Sequence, residues 1–157
     1  LTPYEAWVRV IAYGIKDGEP SAIRTAAKAM SALVPHGAWV IPAPASQAGT
    51  YGGVMKLAME IATAVGGNYA EPIARTTTVE SSHERRRAGG VGLTVEEHMA
   101  SMESRMRGPC PPGRPVVIVD NVATSGATLE AVKRLMGPGC DVRAVVWAEA
   151  QETGSKS

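Results

Sequence analysis

The sequence predicts an α/β fold: an open, mainly parallel sheet flanked by helices, with a small helical region at the amino terminus. Three observations predict it. Pro115, Val116, Val117, Ile118 and Val119 form a continuous apolar run, the pattern of a strand buried on both faces and hence of a parallel sheet. That run, the helical spacing of Leu129, Val132 and Met136, and the apolar stretch 142–150 follow one another as strand, helix, strand, a unit whose crossover is right-handed. Residues 1–37 carry helical patterning alone, so a helical hood region at 1–37 precedes a core at 38–150 in a single domain of 1–157. A chain of 157 residues buries about two thirds of its unfolded surface, enough for one core.

Thr2, Pro3 and Glu5 read as a helix start, with Thr2 as the cap, Pro3 at the first helical position and Glu5 completing a capping box. This helix is expected to run to about Tyr13, and residues 14–20 to form a loop. Ser21 is then expected to cap a second helix with Ile23, Ala26, Ala27, Met30, Leu33 and Val34 on one face, ended by Pro35 and Gly37. Trp39, Val40 and Ile41 make a short buried strand, closed by Pro42, Ala43 and Pro44 and followed by a small-residue loop at 45–49. Val54, Leu57, Ala58, Ile61 and Val65 recur at helical spacing, and Gly66 with Gly67 supplies a left-handed stop. Residues 69–76 form a weaker strand candidate, interrupted by Pro72 and so near a sheet edge or beginning after it. Over 77–92 the pattern is lost to Thr, Ser, Arg and Gly, and a mobile loop is expected. Thr94 and Glu97 form a second capping box, opening a helix expected to carry Met99, Met102 and Met106 and to stop at Gly108 and Pro109.

The informative segment joins the last two strands. A strand ending at Asp120 puts that carboxylate at the carboxyl edge of the sheet, where ligands of open α/β folds bind. A carboxylate accepts two hydrogen bonds, which suits a pair of neighbouring hydroxyls. Thr124, Ser125 and Thr128 offer hydroxyl donors, while Gly126 lets the backbone turn and expose its N–H groups to a phosphate at the helix amino terminus. The plain alternative is a strand–loop–helix corner in which Thr128 caps the helix and Gly126 relieves strain. A Walker A loop is excluded because no Gly-Lys-Ser/Thr follows a four-residue spacer, and a dinucleotide fingerprint lacks its glycine triplet.

Four apolar residues, the pair Asp120 and Asn121, and a hydroxyl- and glycine-rich loop opening a helix resemble the phosphoribosyl pyrophosphate (PRPP) motif of type I phosphoribosyltransferases. The resemblance implies that fold, and it implies that Asp120 and Asn121 hold the ribose 2′- and 3′-hydroxyls. It likewise implies that Ala123, Thr124, Ser125, Gly126, Ala127 and Thr128 wrap the 5′-phosphate. Asn121 departs from the acidic pattern and brings no negative charge to a developing ribosyl cation. In the family the loop after the first core strand holds pyrophosphate through backbone N–H groups, and Ala45, Ser46 and Gln47 stand in that position without a basic neighbour. A flexible loop covers the donor in such enzymes. Here Arg85 and Arg87 are the candidates to meet the pyrophosphate, against the bland alternative of a solvated charged loop.

The order of elements, Ile41-Pro42-Ala43-Pro44 and Ser82-His83-Glu84-Arg85 are most similar to the ComF-like branch, which is associated with DNA uptake. Gly49-Thr50-Tyr51-Gly52 replaces that branch's Arg-Gly-aromatic-Asn. The implied function is Mg²⁺-dependent transfer of phosphoribose between PRPP and a nucleobase or similar nitrogen acceptor, with pyrophosphate and a nucleoside monophosphate on the product side. Mg²⁺ would bridge pyrophosphate and ribose oxygens, Asp120 being the one candidate for direct contact. A homodimer is expected. The alternative is a PRPP- or nucleotide-binding regulator, or a DNA-uptake accessory, without turnover.

Composition narrows the partners. With 16 Lys+Arg against 15 Asp+Glu and no Phe, the chain has little field for nucleic acid and little on which to stack bases. Cys110 and Cys140 form no CxxC or CxxH pair, so neither a disulfide framework nor a zinc site is expected, and a reducing cytoplasm is the expected location. The apolar runs are too short to span a bilayer. His36 in a turn and His98 on a helix are both expected at the surface. Trp7, Trp39 and Trp147 are expected in packing, with base stacking as the alternative.

Overall fold

The computed structural model describes residues 1–49, 52–80, 89, 92–110, 112–123 and 126–149, the side chains of Ala123 and Glu149 excepted. Helix α1, Pro3–Lys16, opens on the expected capping box: Glu5 N–H donates to Thr2 Oγ1 at 3.1 Å and Thr2 N–H to Glu5 Oε2 at 2.7 Å. It runs a turn beyond Tyr13, because Gly14 does not break it. A Cβ on Gly14 would lie 2.5 Å from Ala22 Cβ, so the missing side chain lets the next helix approach. That helix, α2, Pro20–Ser31, has Glu19 rather than Ser21 as its N-cap. Pro20, with φ already set for a helix, takes the first position, and the Ser21 hydroxyl turns back to Glu19 Oε1 at 3.1 Å.

Strand β1, Trp39–Pro42, leads to α3, Gly53–Ala64, which buries Val54, Leu57, Ala58 and Ile61 as expected. The candidate strand at 69–76 is two strands: Pro72, which lacks an N–H to donate, separates β2, Asn68–Tyr69, from β3, Ile73–Arg75. Helix α4, Val95–Ala100, has the expected Thr94 and Glu97 capping box. It stops well before Met106, because Met102 enters β4, Met102–Ser104, antiparallel to β3 in a sheet of two strands. Pairing of Met102 with Arg75 there outweighs the helical spacing of the methionines. Strand β5, Val116–Ala123, helix α5, Ala127–Met136, and strand β6, Val142–Glu149, complete the chain's second strand–helix–strand unit.

The main sheet is four-stranded and all parallel, in the order β2-β1-β5-β6. Alternation along β5 splits the core in two. Val117 and Val119 face α1, α2 and α3 with Ile15, Leu57 and Ile61, while Val116 and Ile118 face α5 and the small sheet with Ile73, Val132 and Met102. Each fully buried Val or Ile contributes roughly 1.5–3 kcal/mol. The amino-terminal helices therefore share one core with the sheet's first face. Trp147 Nε1–H donates to Val8 O at 2.9 Å and its ring meets Trp7 edge-on at 5.4 Å, while Trp39 lies under the Arg114 guanidinium at 5.1 Å. These tryptophans pack against the protein itself.

Cys110 and Cys140, expected to be unpaired, are joined by a disulfide with Cα atoms 5.4 Å apart. Neither lies in a pairing motif, and they meet because α5 returns the chain beside the segment leading into β5. Among the described residues no helix is long and apolar enough to cross a membrane.

Candidate functional site

Strands β1 and β5 are neighbours whose connections part. From β1 the chain leaves to α3 on one face of the sheet, and from β5 it leaves to α5 on the other. A crevice opens at such a point, at the carboxyl ends of the strands. The β1 register ends with Pro42 beside Val119, so Asp120 is the first β5 residue beyond it, still paired with Val146 of β6 on the other side. The strand does not end at Asp120 as expected but runs on to Ala123, held by β6; Asp120 lies past the end of the shorter β1 and not at the end of its own strand.

Its charge differs from expectation. Enclosure of the carboxyl raises its pKa to about 7, against the backbone N–H groups of Asn121 and Val122, which pull it down. Asn121 N–H donates to Asp120 Oδ1 at 2.8 Å. In the free protein near neutrality the carboxyl is thus only partly ionised, not the constant negative charge that the sequence suggests. Asn121 belongs to the opposite face of the strand. Its Nδ2 donates to Ala12 O of α1 at 3.3 Å and its Oδ1 accepts Val122 N–H at 2.9 Å, so the two side chains do not sit together as a pair.

Of the phosphate-loop candidates, Ala123 ends β5 by its backbone, and Thr124 and Ser125 lie outside the described residues. Gly126 is the N-cap of α5 at φ +75°, and a Cβ there would meet nothing within 4 Å. Ala127 and Thr128 open the helix. Thr128 does not cap it: its Oγ1 lies 3.2 Å from His98 Nε2. Arg85 and Arg87 also lie outside the described residues.

The loop holding Ala45, Ser46 and Gln47 is stitched to the segment after β3. Arg75 Nε donates to Ala45 O at 3.0 Å, Val79 N–H to Ser46 O at 2.9 Å and Ala48 N–H to Thr78 Oγ1 at 3.0 Å, while Gln47 is exposed. Thr77 N–H donates to Ser101 O at 3.2 Å. The first residues of the stretch expected to be mobile are therefore hydrogen-bonded, because they line the loop after β1; residues 81–88, 90 and 91 lie outside the described residues. Neither a protein-family model nor a curated protein matches this chain.

Three residues escape a sequence reading: Arg75, His98 and Ser101, all buried. Arg75 Nη1 donates to Ser101 Oγ in a short bond and approaches His98 Nδ1 at 3.3 Å. Ser101 Oγ in turn donates to His98 O at 2.8 Å. His98, expected at the surface, is 3% exposed, because α4 lays this face against α5. Burial, and then the adjacent Arg75, lower its pKa to about 4, with Glu97 opposing. Burial also lowers that of Arg75. The one available signal was Arg75 directly after the apolar pair Ile73 and Ala74, a charge where a strand should be buried.

Among the described residues no group of three or more His, Cys, Asp or Glu side chains gathers to hold a metal. Asp120 offers a single carboxylate at the edge, which fits a Mg²⁺ carried mainly by a ligand's phosphate and ribose oxygens rather than by a protein cage. Two shallow concavities lie elsewhere, one along α3 at Met59, Glu60 and Thr63, the other beside the end of α5 at Lys133, Arg134 and Gly137.

Proposed function

We propose that the chain binds PRPP or a nucleoside 5′-phosphate in the crevice between β1 and β5, and transfers phosphoribose to or from a nitrogen acceptor such as a nucleobase. The observation that carries this reading is Asp120 in β5 as the first residue beyond the end of its pairing with β1, where the connections of β1 and β5 leave for opposite faces. A ribose over Asp120 would have its 5′-phosphate at the amino terminus of α5, whose dipole and Gly126 turn favour an anion. Its C1 would lie toward the loop of Ala45, Ser46 and Gln47, the side from which pyrophosphate leaves. Mg²⁺, when bound, would neutralise the departing pyrophosphate. The chain's own work is positioning: Asp120 orients the hydroxyls and, once ionised, faces the positive charge growing at C1. Arg85 and Arg87 would complete the pyrophosphate side.

A regulator that binds PRPP without turnover is the second reading. It is favoured by the Asp120 carboxyl, held near pKa 7, and by the Asn121 amide, engaged with α1. A cytoplasmic homodimer goes with either reading; in that compartment the disulfide would be held reduced.

Calorimetry with PRPP and Mg²⁺, paired with a pyrophosphate-release assay over purine, pyrimidine and nicotinate-like acceptors, tests both. Native binding with turnover is expected, and Asp120→Asn should lower kcat on the order of 100-fold while weakening PRPP far less. Binding without turnover leaves the regulator. Absence of PRPP binding removes both readings.

A further inference from the structure

We infer that Arg75, His98 and Thr128 form a hydrogen-bond relay of fixed direction that makes the Thr128 hydroxyl a dedicated donor to the ligand, His98 being its positioning residue; this rests on the ribose-phosphate reading above. The direction follows from donor and acceptor chemistry. A guanidinium has only donors, so His98 Nδ1, 3.3 Å from Arg75 Nη1, must accept. The ring then carries its proton on Nε2, 3.2 Å from Thr128 Oγ1, and donates to that oxygen. Thr128 spends an oxygen lone pair on the relay and keeps its own O–H, which no acceptor among the described residues takes.

Ser101 enforces the same sense. Its oxygen accepts from Arg75 and its proton goes to His98 O at 2.8 Å, so the second Arg75 Nη1 hydrogen is left for the imidazole. Arg75 Nε on Ala45 O at 3.0 Å ties the relay to the loop after β1. One chain of bonds thus runs from the loop after β1 to the first turn of α5, the two elements that the reading above assigns to pyrophosphate and 5′-phosphate. Arg75 and His98 are 4% and 3% exposed, so water does not compete for these bonds and their direction persists. A threonine locked as a donor suits an acceptor-only partner, and a phosphate oxygen is one.

Two measurements on the full chain test this. In ¹⁵N-histidine-labelled protein, the His98 ring, assigned by its loss in His98→Gln, should be neutral with the proton on Nε2 at pH 7. A proton on Nδ1, or a charged ring, would overturn the inference regardless of any binding. Calorimetry with ribose 5-phosphate is the second. His98→Phe and Thr128→Val should each weaken it about tenfold, the worth of one buried hydrogen bond. The double variant should be no weaker than Thr128→Val alone. His98→Gln, whose amide has an acceptor and a donor, should bind within about threefold of native. Additive losses, or native affinity in His98→Phe, would sink the relay while leaving the site intact. No binding of ribose 5-phosphate by the native chain would instead remove the site reading, and the relay's purpose with it. Should His98→Phe fail to fold, the tautomer and the Thr128→Val result still decide.

Discussion

In the sense opposite to His98, Asp120 makes the stability of the free protein depend on pH. Its folded pKa of about 7 lies above the unfolded value of about 3.9. The folded chain therefore keeps a proton that the unfolded chain releases between these two values. The stability this contributes is complete below about pH 4, falls as pH rises through the window, and is lost above about pH 7. Asp120→Asn keeps a neutral side chain at every pH. Its melting temperature should match native at pH 4 and exceed it by roughly 8–16 °C at pH 8. Equal melting curves at both pH values would mean that the carboxyl is solvated in the free protein.

At the scale of elements, the position of the loop after β1 depends on how α3 docks. Gly53, first residue of α3, lies where a Cβ would overlap Ile15 O at the end of α1, and Gly67 makes the same kind of approach to Ala38 O. Backbone oxygens do not move aside as flexible side chains do. Gly53→Ala should destabilise by roughly 1–3 kcal/mol, lowering the melting temperature by roughly 3–10 °C. A thermal melt checks this; an unchanged midpoint would show that α1 and α3 slide apart freely. Such contacts also mark how far elements can be read. Both capping boxes and the α3 periodicity are local signals, and each element starts where they put it. The methionine spacing after His98 is local too, yet β4 forms there, since pairing with β3 and burial of Ser101 act over a distance that no window of sequence covers.

For the whole molecule, the Cys110–Cys140 bridge ties the approach to β5 to the turn before β6, across a sequence separation of 30. Closing a loop of that length restricts the unfolded chain by about 3 kcal/mol. Reductant should then lower the melting temperature by roughly 6–12 °C, and Cys110→Ser should melt at the reduced value with or without reductant. If reductant leaves the native midpoint unmoved, the two thiols are unpaired in solution. Both cysteines lie against the α5 side of the core, so the remaining fold is expected to survive.

The apolar run at 115–119 was enough to establish a buried parallel strand, because strand burial is written in neighbouring residues, but not where that strand ends. Thr2, Glu5, Thr94 and Glu97 were likewise enough for helix starts. Which faces the side chains of Asp120 and Asn121 would serve depended on β5 continuing to Ala123 instead of ending at Asp120. The pKa of Asp120 depended on what encloses it. Arg75, His98, Ser101 and Thr128 stand up to 53 residues apart in the chain, and only the packing of β3, α4 and α5 brings them together. Hydrogen bonds between such distant side chains leave no periodicity to read, so the connection from Arg75 through His98 to Thr128 was decided by tertiary structure alone.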